Sequence, residues 1–446
     1  MKMLCTRLLL VCFCIWFADI RPYGQVSIVE VIQSNGQWQL MVDGEPFYIK
    51  GAGGDKHLDV LLSAGGNTIR TWGTENAQAI LDEAHEKGVK VMMGLWVQHE
   101  RHGFDYNNKS KVKAQLENFK KAVIKYKDHP ALLIWGIGNE YELNYSNTKV
   151  WAAVNDIAKM VHEVDPNHPT STITAGTNAD KLKFVMDELT EIDIYGINTY
   201  ADIGSVKTVI KNGGYKRPYM ITEWGPTGHW EITKTMWGSS VEQSSTEKAT
   251  SYLNRYMENI DTQREQCIGS FAFLWGQKQE YTSTWYGLFS EEGMPTEAID
   301  VLQLCWSGQN PENRAPSIDN VTFDGNEELL NIIVTPGQKC IVNLVANDIN
   351  QDKLNYRWEL YPESTDLKTG GDAEGKPPII TGKIKGGKSH EIILKAPYME
   401  GRYRLFVFVD DNEKLAYMNI PFYVDGTASD SKRILFKKQQ FEPSEF

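Results

Sequence analysis

The 446-residue sequence is poor in cysteine, and half of what it has lies at one end. Of six cysteines, Cys5, Cys12 and Cys14 fall in the first stretch, leaving Cys267, Cys305 and Cys340 for the rest of the chain. Three widely spaced thiols with no C-x-x-C pair exclude a disulfide framework and a cysteine zinc site. They read as buried thiols. Basic residues are also short: 46 Lys and Arg against 58 Asp and Glu give a net charge of −12. That balance argues against nucleic acid and anionic membrane as main partners, because phosphate binding needs clustered cations. No G-x-G-x-x-G follows the first predicted strand, which removes the usual support for a dinucleotide-binding sheet. His99-Glu100-Arg101-His102 lacks the His-Glu-x-x-His spacing of a helical zinc site, so neither metal nor cofactor is expected. Hydrophobic residues at 41% and charged residues at 23% exclude wholesale disorder and collagen-like repeats.

What is present begins with a targeting pattern over residues 1–24. Lys2 and Arg7 precede an apolar run from Leu8 to Phe17, and a polar break follows at Asp19–Arg21. The run is too short for a membrane span, so it reads as an export signal. Leu9-Leu10-Val11-Cys12 is a candidate lipidation site that would tether the chain to an outer membrane through Cys12. The expectation is an exported monomer, in the periplasm, at the cell surface or secreted.

From residue 25 to 306 short apolar runs alternate with amphipathic stretches. The runs are Phe47–Gly51, Asn67–Trp72, Val89–Val97, Ala131–Asn139, Thr170–Ala175, Ile192–Tyr200, Pro218–Trp224 and Ile268–Trp275. Their length and β-branched or aromatic content fit buried parallel strands. Helical faces lie between them: Ala77, Ile80, Leu81 and Ala84; then Trp151, Val154, Ala158 and Val161; then Leu182, Val185, Met186 and Leu189. Eight such repeats in roughly 260 residues predict a (β/α)8 barrel. Ahead of it, Trp38 to Phe47 reads as a hairpin turning at Asp43-Gly44. Residues 307–316 are polar and Pro-containing, as a linker is. Residues 317–425 hold short strands with Gly, Asn and Asp between them, which predicts an immunoglobulin-like β-sandwich. A charged tail, 426–446, ends the chain. In the sandwich, Asp348-Ile-Asn350-Gln-Asp352 alternates like a calcium loop but lacks its Gly and distal Glu, and reads as a solvated turn.

Two strands end in carboxylates. Ala131-Leu-Leu-Ile-Trp-Gly-Ile-Gly-Asn139-Glu140 closes the fourth run, and Arg217-Pro-Tyr-Met-Ile-Thr-Glu223-Trp-Gly225 the seventh. Barrel enzymes build their sites at the C-terminal ends of strands, so Glu140 and Glu223 are expected to share one mouth. Two carboxylates across a cleft are what glycoside hydrolysis needs, one as nucleophile and one as acid and base.

These motifs, with Trp275 and Gly287-Leu-Phe-Ser-Glu-Glu-Gly-Met-Pro295, resemble clan A retaining glycosidases over about residues 37–306. The resemblance implies that Glu140 is the acid/base, Glu223 the nucleophile and Asn139 a ligand of the sugar 2-hydroxyl. It implies that Tyr200 hydrogen-bonds the nucleophile and that Arg70 helps to keep Glu223 ionised. Family 2 of the clan carries extra β-domains ahead of the barrel, and the short stretch here sets the chain apart from it. A barrel followed by one immunoglobulin-like domain is more similar to glycoside hydrolase family 158. That similarity implies an endo-β-1,3-glucanase acting on laminarin-type polysaccharide or oligosaccharide. Another β-glycosidase of the clan, such as a mannanase or transglycosylase, or a non-catalytic surface glycan-binding protein are the alternatives.

Sugar faces stack on aromatic rings, and Trp275 at the end of the eighth strand is the expected platform. Trp72, near another strand end, Trp224, which lies with Trp230, Trp237 and Trp285 in predicted loops, and His99, in the loop after the third strand, are further candidate sugar contacts.

Overall fold

A computed structural model describes residues 26–427. The expected export signal, Cys12 and nearly all of the charged tail lie outside the described residues. Among those described, no helix is long and apolar enough to cross a membrane.

Strands β1 (Val29–Ser34), β2 (Gln37–Val42) and β3 (Glu45–Phe47) form a small antiparallel sheet. Asp43 (φ 53°) and Gly44 (φ 84°) take the left-handed conformations of the turn expected there. Backbone bonds from Val29 to Asn167 and from Trp38 to Glu265 fix this sheet under the entry ends of two barrel strands. Its Val29, Leu40 and Val42 pack with Met92, Ile134, Ile173 and Met220, which plugs the barrel at the end away from the mouth.

Eight parallel strands then close into a barrel: β4 (Ile49–Gly53), β5 (Thr68–Arg70), β6 (Lys90–Leu95), β7 (Leu132–Ile137), β8 (Thr170–Ala175), β9 (Ile194–Asn198), β10 (Tyr219–Trp224) and β11 (Cys267–Ala272). The helices that follow them are α1 (Leu58–Ser63), α2 (Ala77–Lys87), α3 (Lys109–Tyr126), α4 (Lys149–Val164), α5 (Ala179–Glu188), α6 (Ile203–Asn212), α7 (Ser245–Arg255) and α8 (Glu297–Ser307). Outward strand residues such as Ile69, Val91 and Trp135 meet the buried stripes of the helices, including Leu81, Val123 and Val154. Both expected faces on α2 and α4 point inward; on α5, Met186 stays exposed because that short helix buries only a narrow stripe.

The second domain has strands β12 (Ser317–Phe323), β13 (Ile332–Val334), β14 (Lys339–Asn347), β15 (Asn355–Pro362), β16 (Ile384–Lys385), β17 (Glu391–Lys395), β18 (Gly401–Asp410) and β19 (Leu415–Val424). They make two sheets, ordered β12-β14-β17-β16 and β13-β19-β18-β15. Alternation in β14 is clean: Cys340, Val342 and Leu344 face the core while Ile341 is 52% exposed. Trp358 is a core residue whose indole donates to the Ser389 carbonyl, 2.9 Å. The turn at Asp348 is held by its own carboxylate, which accepts from the backbone of Asn350 and Asp352. Asp411 lies alongside. No disulfide joins Cys267, Cys305 and Cys340.

Strand β18 is buried on both faces because its second face packs on the barrel. Lys248 of α7 pairs with Glu242 at 2.5 Å, and Asn419 donates to the same carboxylate. Arg404 pairs with Glu363 and donates to the Ser240 carbonyl. The 307–316 segment, expected as a linker, is pinned rather than free: Ala315 donates to Asp300, and Lys414 holds Asp300 and the Asn313 carbonyl. The bonds from Asn419, Arg404 and Lys414 cross between the domains and join them in one fixed arrangement.

Candidate active site

Glu140 and Glu223 open on the same mouth, as residues at the C-terminal ends of parallel strands must. β10 carries Glu223 within its last turn of sequence, and the chain leaves β7 through Gly138-Asn139-Glu140. Gly138 has φ 74°, and a Cβ there would meet the Tyr141 ring at 2.5 Å, so only glycine allows this exit. Glu140 is itself held at φ 49° by its backbone bond to Ile173, a conformation uncommon for a side chain of its kind.

The two carboxyl groups sit in unlike surroundings. Glu223 Oε1 accepts from Arg70 Nη1 at 3.0 Å and from Trp72 Nε1 at 2.9 Å, and its Oε2 accepts from the Tyr200 hydroxyl at 3.1 Å. Burial, and next the Glu223 charge, push the Tyr200 phenol well up, so it stays a donor. Glu140 has one neutral donor, Asn198 Nδ2, at 2.9 Å from its Oε1. Burial, then the charge of Glu223, push its carboxyl up to about 8, against the opposing Asn198 bond; Glu142 adds to the rise. One carboxyl accepts from three donors, and the other is kept protonated at neutral pH.

Arg70 is the hub of this floor. Besides Glu223 it donates to the Thr222 carbonyl at 2.7 Å and to Asn139 Oδ1 at 2.7 Å. Asn198 also donates to Asn139 Oδ1, at 3.1 Å, so the Asn139 carbonyl is fully engaged and its amide is the part left for a ligand.

The expected aromatic contacts divide. Trp72 belongs to the site through its bond to Glu223. Trp275 does not serve as a platform: it is 1% exposed and packed against Phe289 and Trp306, because the chain past β11 turns the ring outward to the helix layer. Trp224 is 0% exposed, since as the residue after Glu223 it alternates to the outer face, onto Tyr252 and Tyr256. His99 is 1% exposed and sits in a parallel stack between Trp96 and His102, its Nδ1 accepting from Arg101 Nε. Burial and then the Arg101 cation lower its imidazole to about 4, so it is a neutral spacer beneath the surface and not a sugar contact.

Three residues around the site were not anticipated, and a fourth, Trp230, is one of the loop tryptophans expected to line a cleft. Asn198 ends β9 as Asn139 follows β7, and the same strand-end reasoning could have found it. Glu142 is buried against Lys181 at 2.8 Å, two residues past Glu140. Phe273 replaces Trp275 as the inward aromatic after β11, in a cluster with Tyr200, Trp285 and Tyr286. Trp230, 54% exposed, stands edge-on over Tyr200. No local pattern marks Phe273, because which side of a loop faces the mouth is set by tertiary packing.

Among solved structures, the chain is similar in fold to a β-glucuronidase 2 of Bacteroides uniformis, with 12% identity over 89% of this chain and 48% of that one, TM-score 0.50. It is similar to a β-D-glucuronidase of Dictyoglomus thermophilum, with 17% identity over 64% of this chain and 54% of that one, TM-score 0.48. It is also similar to an endo-β-1,4-mannanase of Thermotoga petrophila, with 12% identity over 86% and 99%, TM-score 0.43. The chain spans about half the length of the glucuronidases it matches. The model of the glycosyl hydrolases family 2 TIM barrel domain matches residues 68–309. The short stretch ahead of the barrel therefore does not set the chain apart from family 2, as its sequence suggested: the barrel's own residues carry the match. With more than half of its length matched, the chain belongs to glycosyl hydrolase family 2 through its TIM-barrel domain.

Proposed function

We propose that this chain is a retaining β-glycosidase working by double displacement. The observation that carries the reading is the contrast between the two carboxyl groups: Glu223 accepts three hydrogen bonds, while Glu140 holds its proton up to about pH 8. In the first step Glu223 attacks the anomeric carbon, the glycosidic C–O bond breaks, and Glu140 gives its proton to the departing oxygen. In the second, Glu140 as carboxylate takes a proton from water, whose oxygen attacks the same carbon and frees Glu223. Asn139, with its carbonyl fixed by Arg70 and Asn198, offers its amide to the sugar 2-hydroxyl.

The substrate we assign is a β-1,3-glucan of laminarin type, in line with the likeness to family 158. Support for a neutral sugar comes from the cations around the site. Arg70, Arg101, Lys181 and Lys278 are each paired with Glu223, Asp372, Glu142 and Glu280, so they are not free to hold a sugar carboxylate. The likeness implies cutting within the chain. The protein would meet such a polymer outside the cytoplasm, after export and with Cys12 as a lipid anchor.

Product analysis on laminarin, mixed-linkage glucan and mannan tests the reading, with Glu223→Gln as control. Oligosaccharides or glucose released from laminarin and lost in the variant are expected. Release from mannan alone, or cleavage that survives Glu223→Gln, overturns it.

A further inference from the structure

The loops around the mouth are uneven. Those after β6, β7, β10 and β11 are long (96–108, 138–148, 225–244 and 273–296) and stand as two facing banks. Those after β4 and β5 (54–57 and 71–76) and after β8 and β9 (176–178 and 199–202) are short. High banks with low ground between them at two opposite places describe a groove. The barrel by itself would leave that groove open at both ends.

The second domain alters this. The 363–383 segment between β15 and β16 leaves the sandwich as a long loop with its own internal bonds. Asp366 Oδ2 accepts from the Gly375 backbone at 2.9 Å, and Glu374 Oε1 from that of Lys368 at 2.9 Å. Loops of this length that are tied to themselves are characteristically functional. Its tip reaches both banks. On the β6 side Arg101 grips it twice, donating to the Thr369 carbonyl at 2.9 Å and forming a two-point pair with Asp372 at 2.7 and 3.2 Å. His102 Nε2 lies 3.0 Å from the same Asp372 carboxylate. On the β11 side Lys278 donates to the Gly371 carbonyl at 2.6 Å, and the Tyr281 backbone to Glu374 at 2.7 Å. Between the two, a Cβ on Gly370 would come within 3.0 Å of Leu143 in the β7 loop, and one on Gly371 within 2.9 Å of Lys278 Nζ. Consecutive glycines at the tip thus let the backbone run close over both sides.

In the closed barrel order, β4 and β5 are the strands between β11 and β6. The strap reaches the bank after β11 on one side and the bank after β6 and β7 on the other, and so bridges the groove. We propose that the sandwich loop closes the groove where it bridges the two banks, so that the site is built by both domains and takes the terminus of a glycan chain in place of its interior. This rests on the glycosidase reading above and departs from the internal cutting that family 158 implies. A chain end fits against the strap; an unbroken polymer has no room to continue past it. It gives the second domain a part in specificity without any sugar-binding surface of its own.

The test compares free oligosaccharides with dye-labelled, cross-linked gels of the same three glycans, since a gel releases soluble dye only when internal bonds are cut. The wild-type chain is expected to degrade the oligosaccharides of one glycan and to release at least ten-fold less dye from its gel than an internal cutter of equal oligosaccharide activity. Replacing Thr369–Glu374 by Gly-Gly should bring dye release up by a comparable factor. Asp372→Ala, which removes the two-point grip and leaves the loop's length intact, should do so in part and guards against misfolding of the shortened loop. Dye release by the wild type at the internal cutter's rate overturns the proposal while leaving the glycosidase reading standing. If no oligosaccharide of the panel is cut at all, that reading falls and the proposal with it.

Discussion

Glu140→Gln should cripple the enzyme and stabilise the protein, and the second effect can be worked out from the site. The Glu140 carboxyl is buried beside Glu223, and both raise it to about 8. In the unfolded chain it titrates near its ordinary 4.5. A group raised on folding contributes most at pH below the unfolded value, and that contribution drains away as pH climbs to the folded one. Each unit is worth about 1.4 kcal/mol. At pH 7 the folded state therefore carries a burden of up to about 3 kcal/mol, the cost of keeping a proton that the unfolded chain has released. Glutamine keeps the shape and still accepts from Asn198 Nδ2, yet has nothing to titrate. Urea unfolding of wild type and variant from pH 4 to 8.5 should give nearly equal stabilities at the acid end. The variant should gain steadily above pH 4.5 and level off beyond 8. In activity, kcat/KM of the wild type should fall tenfold per pH unit above about 8, a limb the variant lacks when tested on an aryl glycoside whose leaving group needs no proton. A stability difference that does not vary with pH, or an alkaline limb retained by the variant, would refute the assignment of the raised carboxyl to Glu140.

Arg70→Met should cost about 3–5 kcal/mol of stability by urea unfolding, because Glu223 would stay buried with its cation gone. Trp275→Ala should cost about 3–5 kcal/mol with KM unchanged, as loss of a core ring does. Trp230→Ala should do the reverse, raising KM while thermal stability moves little, since that ring stands half-exposed over Tyr200. Lys248→Met should strand the buried Glu242 at the domain seam and lower stability by about 3–5 kcal/mol. Tryptophan fluorescence and far-ultraviolet circular dichroism should still report one shared transition for both domains.

The pairing of two carboxylates at one mouth was legible because its signal is local twice over. A buried strand writes a continuous apolar run, and the first carboxylate at its end must lie at the mouth; that logic found Glu140 and Glu223 and would equally have found Asn198. Arg70 and Tyr200 followed from likeness to a clan, and both now touch Glu223 directly. Trp224 and Trp275 failed because a ring's side of a strand depends on single-residue register. Trp224 follows an inward Glu223 and so must point outward, whereas past β11 the strand geometry ends, and Phe273 takes the inward place expected of Trp275. The sandwich loop was the least legible feature of all. Lys278 and Gly371 are 93 positions apart in sequence, and Arg101 and Asp372 are 271 apart, so no window along the chain could pair them. Composition marked residues 363–383 only as a polar connection between strands. Its meaning comes from where the polar seam of Glu242, Lys248, Arg404 and Asn419 fixes the second domain on the first. If that seam were weak, the loop would swing with its domain and could set no limit on the substrate. Because the seam is buried and fully paired, a loop carried by one domain can act as a fixed wall in the active site of the other.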